Sequence, residues 1–190
     1  MKKIILSTVA ILTFGFVNAQ SNKDMYFGIK GGLNISSITN INEVDASSLV
    51  GFHIGLFGEF MISDKFALQP EILYSTQGAQ LDDGVIKEDL KLDYINIPLM
   101  AKYYVTDSFS LELGPQIGFL VAADADGDDV KDLFETTDFG LNFGAGYNLS
   151  ENIALGIRYN LGLTKLQKDL FPGDSESKNS VFSFSLGYRW

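Results

Sequence analysis

The chain has 190 residues, enough for a single domain, with 24 acidic residues against 14 basic ones and no cysteine. Zero cysteines exclude a disulfide framework and a lipid-bearing cysteine, and an acidic chain without a Lys/Arg cluster argues against nucleic acid as a partner. At 46% hydrophobic residues and 19 glycines the sequence is neither disordered nor collagen-like.

The chain begins Met1-Lys2-Lys3, continues through an apolar run over residues 4–17, and reaches Val17-Asn18-Ala19 before Gln20. A basic start, a short apolar core and small residues before a cut predict a secretory signal peptide over residues 1–19. The run is too short to span as a helix, which takes about 20 apolar residues, and no other stretch is long and apolar enough. Losing Lys2 and Lys3 with the signal takes the formal net charge from −10 to −12. Residues 20–190 are then expected to form one domain.

From Met25 the pattern has a period of two, the signature of a strand with one apolar face. In the first strand Met25, Phe27, Ile29, Leu33 and Ile35 share one face, and Tyr26, Lys30, Asn34 and Ser36 the other. After a polar loop, Val50, Phe52, Ile54, Leu56, Phe60 and Ile62 alternate with His53, Phe57, Glu59 and Met61. A tight turn at Ser63-Asp64-Lys65 leads to Phe66, Leu68, Pro70, Ile72 and Tyr74 opposite Gln69, Glu71, Leu73 and Ser75. A polar stretch over residues 78–91 reads as a loop. Then Ile95, Ile97, Leu99, Tyr103 and Val105 face away from Tyr94, Asn96, Pro98, Met100 and Lys102.

Thr106-Asp107-Ser108 makes the second tight turn. Leu111, Leu113, Pro115, Ile117 and Phe119 follow, opposite Ser110, Glu112 and Gln116. An acidic loop over residues 122–137 precedes Phe139, Leu141, Phe143 and Tyr147, which oppose glycines, Asn142 and Asn148. Ser150-Glu151-Asn152 turns the chain into Ile153, Leu155, Ile157, Tyr159 and Leu161 opposite Arg158 and Asn160. A last loop over residues 165–179 leads to Phe182, Phe184, Leu186, Tyr188 and Trp190 against Ser183, Ser185 and Arg189.

Eight strands of about ten residues suit a tilted bilayer crossing, and alternating long and very short connections are the rhythm of transmembrane barrels. Phe27, Phe60, Phe66, Tyr103, Phe109, Tyr147, Tyr188 and Trp190 all fall beside short turns or the C-terminus, where an interfacial girdle belongs. A soluble lipocalin-like cup would carry its apolar residues inside. Here the other face carries glycines and charges, so the fold class is an all-β, eight-stranded antiparallel up-and-down transmembrane β-barrel, expected as a monomer in outer-membrane lipid. Pro70, Pro98 and Pro115 fall inside strands, where each removes a ladder hydrogen bond, and bulges or kinks are expected there.

Phe27-Gly28-Ile29-Lys30-Gly31-Gly32-Leu33-Asn34, Asp93-Tyr94-Ile95-Asn96-Ile97-Pro98-Leu99 and the terminal Phe184-Ser185-Leu186-Gly187-Tyr188-Arg189-Trp190 resemble the PorT-like outer-membrane β-barrel domain family of Gram-negative bacteria. The resemblance runs from Met25 to Trp190. It implies an exported, porin-like barrel of the cell envelope, engaged by the barrel-insertion machinery through its aromatic C-terminal strand, and it supplies no catalytic residue.

Asp124, Asp126, Asp128, Asp132 and Glu135 occupy positions 1, 3, 5, 9 and 12 of an EF-hand-type loop, with Val130 at the backbone-carbonyl position 7. That spacing suits Ca²⁺, although Asp129 replaces the glycine of position 6 and flanking helices are missing. A solvated acidic loop is the simpler account. His53, the single histidine, points inward by parity. A lipid-modifying enzyme would need it with a serine or carboxylate, yet no G-x-S-x-G or metal-binding histidine pair accompanies it. Four inward cations (Lys30, Lys102, Arg158, Arg189) against three carboxylates (Glu59, Glu71, Glu112) read as a network filling the lumen or, alternatively, as the lining of a narrow channel or small-solute transporter. The function expected is non-enzymatic: envelope integrity, adhesion or support of a secretion assembly, with the external loops binding a protein or ligand the sequence does not name.

Overall fold

The computed structural model describes residues 25–39, 45–82, 87–168 and 177–190. The expected signal peptide lies outside them. Among the described residues eight long strands follow in order: β1 (Met25–Thr39), β2 (Asp45–Ser63), β3 (Phe66–Asp82), β4 (Lys87–Tyr104), β5 (Phe109–Ala125), β6 (Thr137–Asn148), β7 (Ile153–Gly162) and β8 (Lys178–Arg189). Each pairs antiparallel with the next, and β8 pairs with β1 from Gly28↔Arg189 to Thr39↔Lys178. The sheet therefore closes into an eight-stranded antiparallel barrel without an open edge, as lipid requires of backbone polar groups.

Strand parity is as the sequence implies. Val50, Leu33 and Trp190 are 68%, 58% and 60% exposed on the outer face, while Asn34 and Glu59 are 1% exposed on the inner one. The girdle aromatics meet in cross-strand pairs at the short-turn end, Phe66↔Tyr103 and Phe109↔Tyr147. Phe27 and Phe60 pack edge to face at 6.1 Å between centroids.

Strand length departs from expectation. β2, β3, β4 and β5 have 19, 17, 18 and 17 residues, and residues 78–91, expected as a loop, are largely hairpin, paired from Gly78↔Lys91 to Asp82↔Lys87. The reason is an inversion of faces. Within the bilayer the apolar residues point out. Beyond it Ala79, Leu90, Leu92 and Ala123 are buried inside the barrel, while Gln80, Asp89 and Lys91 take the outer face. That is the pattern of a water-exposed barrel, so the period of two continues with its sign reversed. A bulge at Val121 accommodates the change: Tyr94 pairs with Leu120 and Asp93 with Ala122, leaving Val121 extra on β5.

The prolines produce gaps, not bulges. The β2–β3 ladder skips from Phe57↔Glu71 to Phe60↔Leu68, passing Pro70. The β3–β4 ladder skips from Pro70↔Leu99 to Leu73↔Asn96, passing Pro98. The β4–β5 ladder skips from Pro98↔Gln116 to Ala101↔Leu113, passing Pro115. Register is the same on both sides of each gap, and each proline stays paired with its other neighbour. A missing N–H on one side thus interrupts one ladder only.

Candidate functional site

The inward residues form three tiers. Nearest the short turns, the four inward cations and the three inward glutamates join in one alternating chain. Arg189 donates to Glu59 (3.3 Å), which also accepts from Lys102 (2.7 Å) and the Tyr104 hydroxyl (2.6 Å). Lys102 reaches Glu112 (3.6 Å), and Glu112 accepts from Arg158 (3.0 Å). Arg158 forks onto Glu71 through Nη1 (3.0 Å) and Nη2 (2.9 Å). Glu71 takes in addition Lys30 (3.2 Å) and the Gln69 amide (2.7 Å). Fork geometry and alternation of sign are what make buried charges tolerable. The inward glycines of the facing strands leave the room: the Phe57 ring lies where a side chain at Gly28 would be.

Above the charges lies a neutral tier of amides, hydroxyls and His53. Asn34 is its hub. Its amide donates to Phe52 O, Ser75 Oγ and Thr76 O, and its Oδ1 accepts from Ser183 and lies 2.9 Å from His53 Nδ1. Because Oδ1 can only accept, the His53 proton sits on Nδ1 and Nε2 accepts from the Ser185 hydroxyl at 3.0 Å. Ser185, His53 and Asn34 thus stand at the distances of nucleophile, base and orienting amide. Sequence reading picked out His53 but not its partners, which arrive from β8 and β1; the register Gly32↔His53 and Gly32↔Ser185 shows why they meet. What the arrangement lacks is room for a substrate. The space beside it measures about 30 Å³, far below the several hundred Å³ of a ligand pocket.

The third tier is an apolar cap in the external collar, made by Ile38, Ala79, Leu90, Leu92, Tyr94 and Leu120 with Phe134 and Leu166 dropped in from two loops. Those loops hold each other: Phe134 and Gln167 form a bridge, the Glu135 N–H donates to Leu166 O (2.8 Å), and the Lys168 N–H donates to Leu133 O (3.1 Å). Phe134 and Leu166 are 4% and 2% exposed. In the sequence they lie within polar connections, Phe134 beside an exposed Leu133, and nothing in periodicity distinguishes them.

The acidic segment folds as a hairpin. Asp126 and Gly127 have φ of +51° and +98° and form the tip of a hairpin in which Asp124 pairs with Asp129 and Ala125 with Asp128. Asp-Gly is a strong two-residue hairpin signal, so the chain reverses at positions 3–4 of the motif and not at position 6. The carboxylates serve the hairpin itself: Asp124 Oδ1 accepts from the Gly127 N–H (3.1 Å) and Asp129 Oδ1 from the Lys131 N–H (3.0 Å). Val130 leans on the cap, and its N–H donates to Ala123 O (3.0 Å). Asp126, Asp128, Asp132 and Glu135 are exposed, and among the described residues no group of three or more His, Cys, Asp or Glu is placed to hold a metal ion.

At the short-turn end a mouth of about 710 Å³ opens between Tyr26, Lys65, Tyr104, Asp107 and Arg189. The spaces above it are small, about 40 Å³ and 30 Å³. A closed barrel with an apolar exterior, an aromatic girdle and a filled polar interior defines the class as a small transmembrane β-barrel of the outer-membrane type. The comparisons agree. The family model for the outer membrane protein beta-barrel domain matches residues 18–168, and the chain belongs to that family. Among solved structures it is similar to Ail, the attachment invasion locus protein of Yersinia pestis, solved with the heparin analogue sucrose octasulfate (17% identity, 88% of this chain and 99% of that one, TM-score 0.52). It is also similar to Neisserial surface protein A (18% identity, 86% and 97%, TM-score 0.58). At these identities the likeness is one of fold. No curated protein matches the sequence significantly.

Proposed function

We propose that this protein is a non-enzymatic outer-membrane barrel whose working part is the external collar and its hairpins, held over a sealed lumen as a platform for binding or adhesion, or as a component of an envelope or secretion assembly. The observation that carries the proposal is the filling of the lumen at three successive tiers, which leaves spaces of about 40 and 30 Å³ along it. A conduit needs the opposite. The four central strands that carry the collar run about seven residues beyond what a bilayer requires, which stiffens the display surface. Between Ala122 and Thr137 that surface carries six acidic residues against the single Lys131, a charge that suits a cationic partner.

The finer kinship with PorT-like barrels belongs to this proposal and is supported by the three quoted segments; so do export through a cleaved residue 1–19 signal, supported by its basic start and short apolar run, insertion through the aromatic C-terminal strand, and a monomeric state in outer-membrane lipid. Ca²⁺ has no role in it. The test is crosslinking in intact outer membranes followed by capture of the protein, with planar-bilayer recording alongside. A partner whose crosslinks map to residues 122–138 or the neighbouring hairpins supports the platform. Steady, salt-dependent conductance with no crosslinked partner would replace it with a narrow channel.

A further inference from the structure

The charged tier is one carboxylate short. Its cations are Lys30, Lys102, Arg158 and Arg189 and its anions Glu59, Glu71 and Glu112. Among the residues whose burial is described, the remaining inward acid is Asp138, which lies six residues further along the strand from Gly144, the partner of Arg158, roughly 20 Å away at strand rise, and accepts from the Thr164 hydroxyl. It does not balance this tier. An excess positive charge inside a barrel in lipid is costly unless something neutralises it.

The shortfall falls on Lys30. Its acceptors are the two Glu71 oxygens, at 3.2 and 3.3 Å, and both of these already accept from Arg158 at closer range, with Gln69 on one of them. Lys30 is thus left with donor capacity in a buried place. Lys30, Arg158 and Ser185 are together the lining common to the two small spaces, and the Ser185 hydroxyl proton is committed to His53. The larger of these spaces shares Glu59, Asn148 and Arg189 with the open mouth. A stepped route therefore leads from bulk solvent at the short-turn end to the Lys30 ammonium. It ends under the amide tier.

We infer that these two spaces form a binding site for a small monovalent anion, chloride being the available species, held between Lys30 and Arg158 as the missing counter-charge of the lumen. The site exceeds the roughly 10–15 Å³ that one water needs, and the larger space is lined by four cations (Lys30, Lys102, Arg158, Arg189) against two carboxylates (Glu59, Glu112), a balance that selects for a negative guest.

The test uses the full refolded barrel in detergent at constant ionic strength, with chloride replaced stepwise by gluconate, which is too large to enter. For the wild type the thermal midpoint should rise saturably with chloride. At tenfold excess over Kd the folding equilibrium shifts about 11-fold, a rise of roughly 3–6 °C for a chain of this size. Lys30→Gln removes the excess charge, so its midpoint should not respond to chloride and in gluconate should equal or exceed that of the wild type. Crystals soaked in bromide should show an anomalous peak beside Lys30 Nζ in the wild type alone. A wild-type midpoint indifferent to chloride overturns the inference, as does a parallel rise in both proteins, which would report a general salt effect.

Discussion

Glu71 is the acceptor on which the lumen depends, and replacing it by glutamine tests whether the charge chain behaves as one unit. Its side chain is fully buried and accepts from Arg158 twice, from Lys30 and from Gln69. Glu71→Gln keeps the shape but leaves Lys30 without a carboxylate and Arg158 with Glu112 alone. Removing one member of a buried ion pair costs about 3–5 kcal/mol, a large part of the roughly 5–15 kcal/mol that holds a domain folded. Glu112→Gln should cost less, since Arg158 keeps Glu71 and Lys102 keeps Glu59. The triple change Glu71→Leu with Arg158→Leu and Lys30→Met, which removes the carboxylate together with both of its cations, should recover most of the loss, because a buried ionic group replaced whole by apolar side chains is often neutral. The assay is urea unfolding in lipid vesicles followed by the fluorescence of Trp190, the sole tryptophan, which is exposed to lipid on the girdle. A Glu71→Gln barrel within about 0.5 kcal/mol of wild type, the scale of an ordinary surface change, would refute the reasoning. So would a triple variant as unstable as the single one.

The other expectations concern the seam, the cap and the two candidate sites. Gly32→Ala should abolish the compact, heat-modifiable band on gels, because a Cβ at Gly32 would lie 1.8 Å from the Phe184 carbonyl oxygen across the closing β1–β8 seam. Phe134→Ala should leave the transmembrane barrel assembled but speed amide exchange in residues 122–137, since truncating a buried Phe costs about 3–5 kcal/mol and here the loss falls on the cap. Calorimetric titration with Ca²⁺ should give no saturable heat; a saturable heat lost on Asp124→Ala would show that the hairpin rewraps around the ion. A fluorophosphonate probe should leave Ser185 unlabelled in the folded barrel, and labelling that His53→Ala removes would turn the Ser185–His53–Asn34 constellation into a working hydrolase site.

What the sequence exposes is whatever obeys a fixed sign of alternation. Strand positions, facing and closure within the bilayer follow from Ile29-Lys30, Phe52-His53 and Leu155-Gly156 patterns, and the seven linked inward charges are all identified by parity alone. The collar is illegible by the same logic. Leu90 and Leu92 are apolar on the inner face while Asp89 and Lys91 are polar on the outer one, which against a lipid-facing template reads as loop. The cap is hidden for a different reason. Phe134 and Leu166 meet through tertiary contact between two connections, and no local period encodes that. The acidic motif is ambiguous because its spacing fits two structures, and in the fold the Asp126-Gly127 pair forms the tip of a hairpin. The prolines are legible as a problem but not in their solution, since a gap in one ladder at constant register leaves no trace in the pattern.

The reversal of faces along β3, β4 and β5 also fixes a division of labour. A wall that is apolar outside and polar inside is matched to lipid, and its interior must neutralise itself, which the charge chain and the amide tier do. A wall that is polar outside and apolar inside is matched to water and can carry its own core, as a soluble domain does. The two halves therefore have separate sources of stability in one continuous sheet: ion pairs and hydrogen bonds below Val121, hydrophobic burial above it. Perturbations should segregate accordingly. Glu71→Gln weakens insertion and destabilises the whole barrel, whereas Phe134→Ala loosens the collar over an intact span. Because the platform does not draw its order from the membrane, its hairpins can change in sequence and charge while the barrel beneath them stays closed.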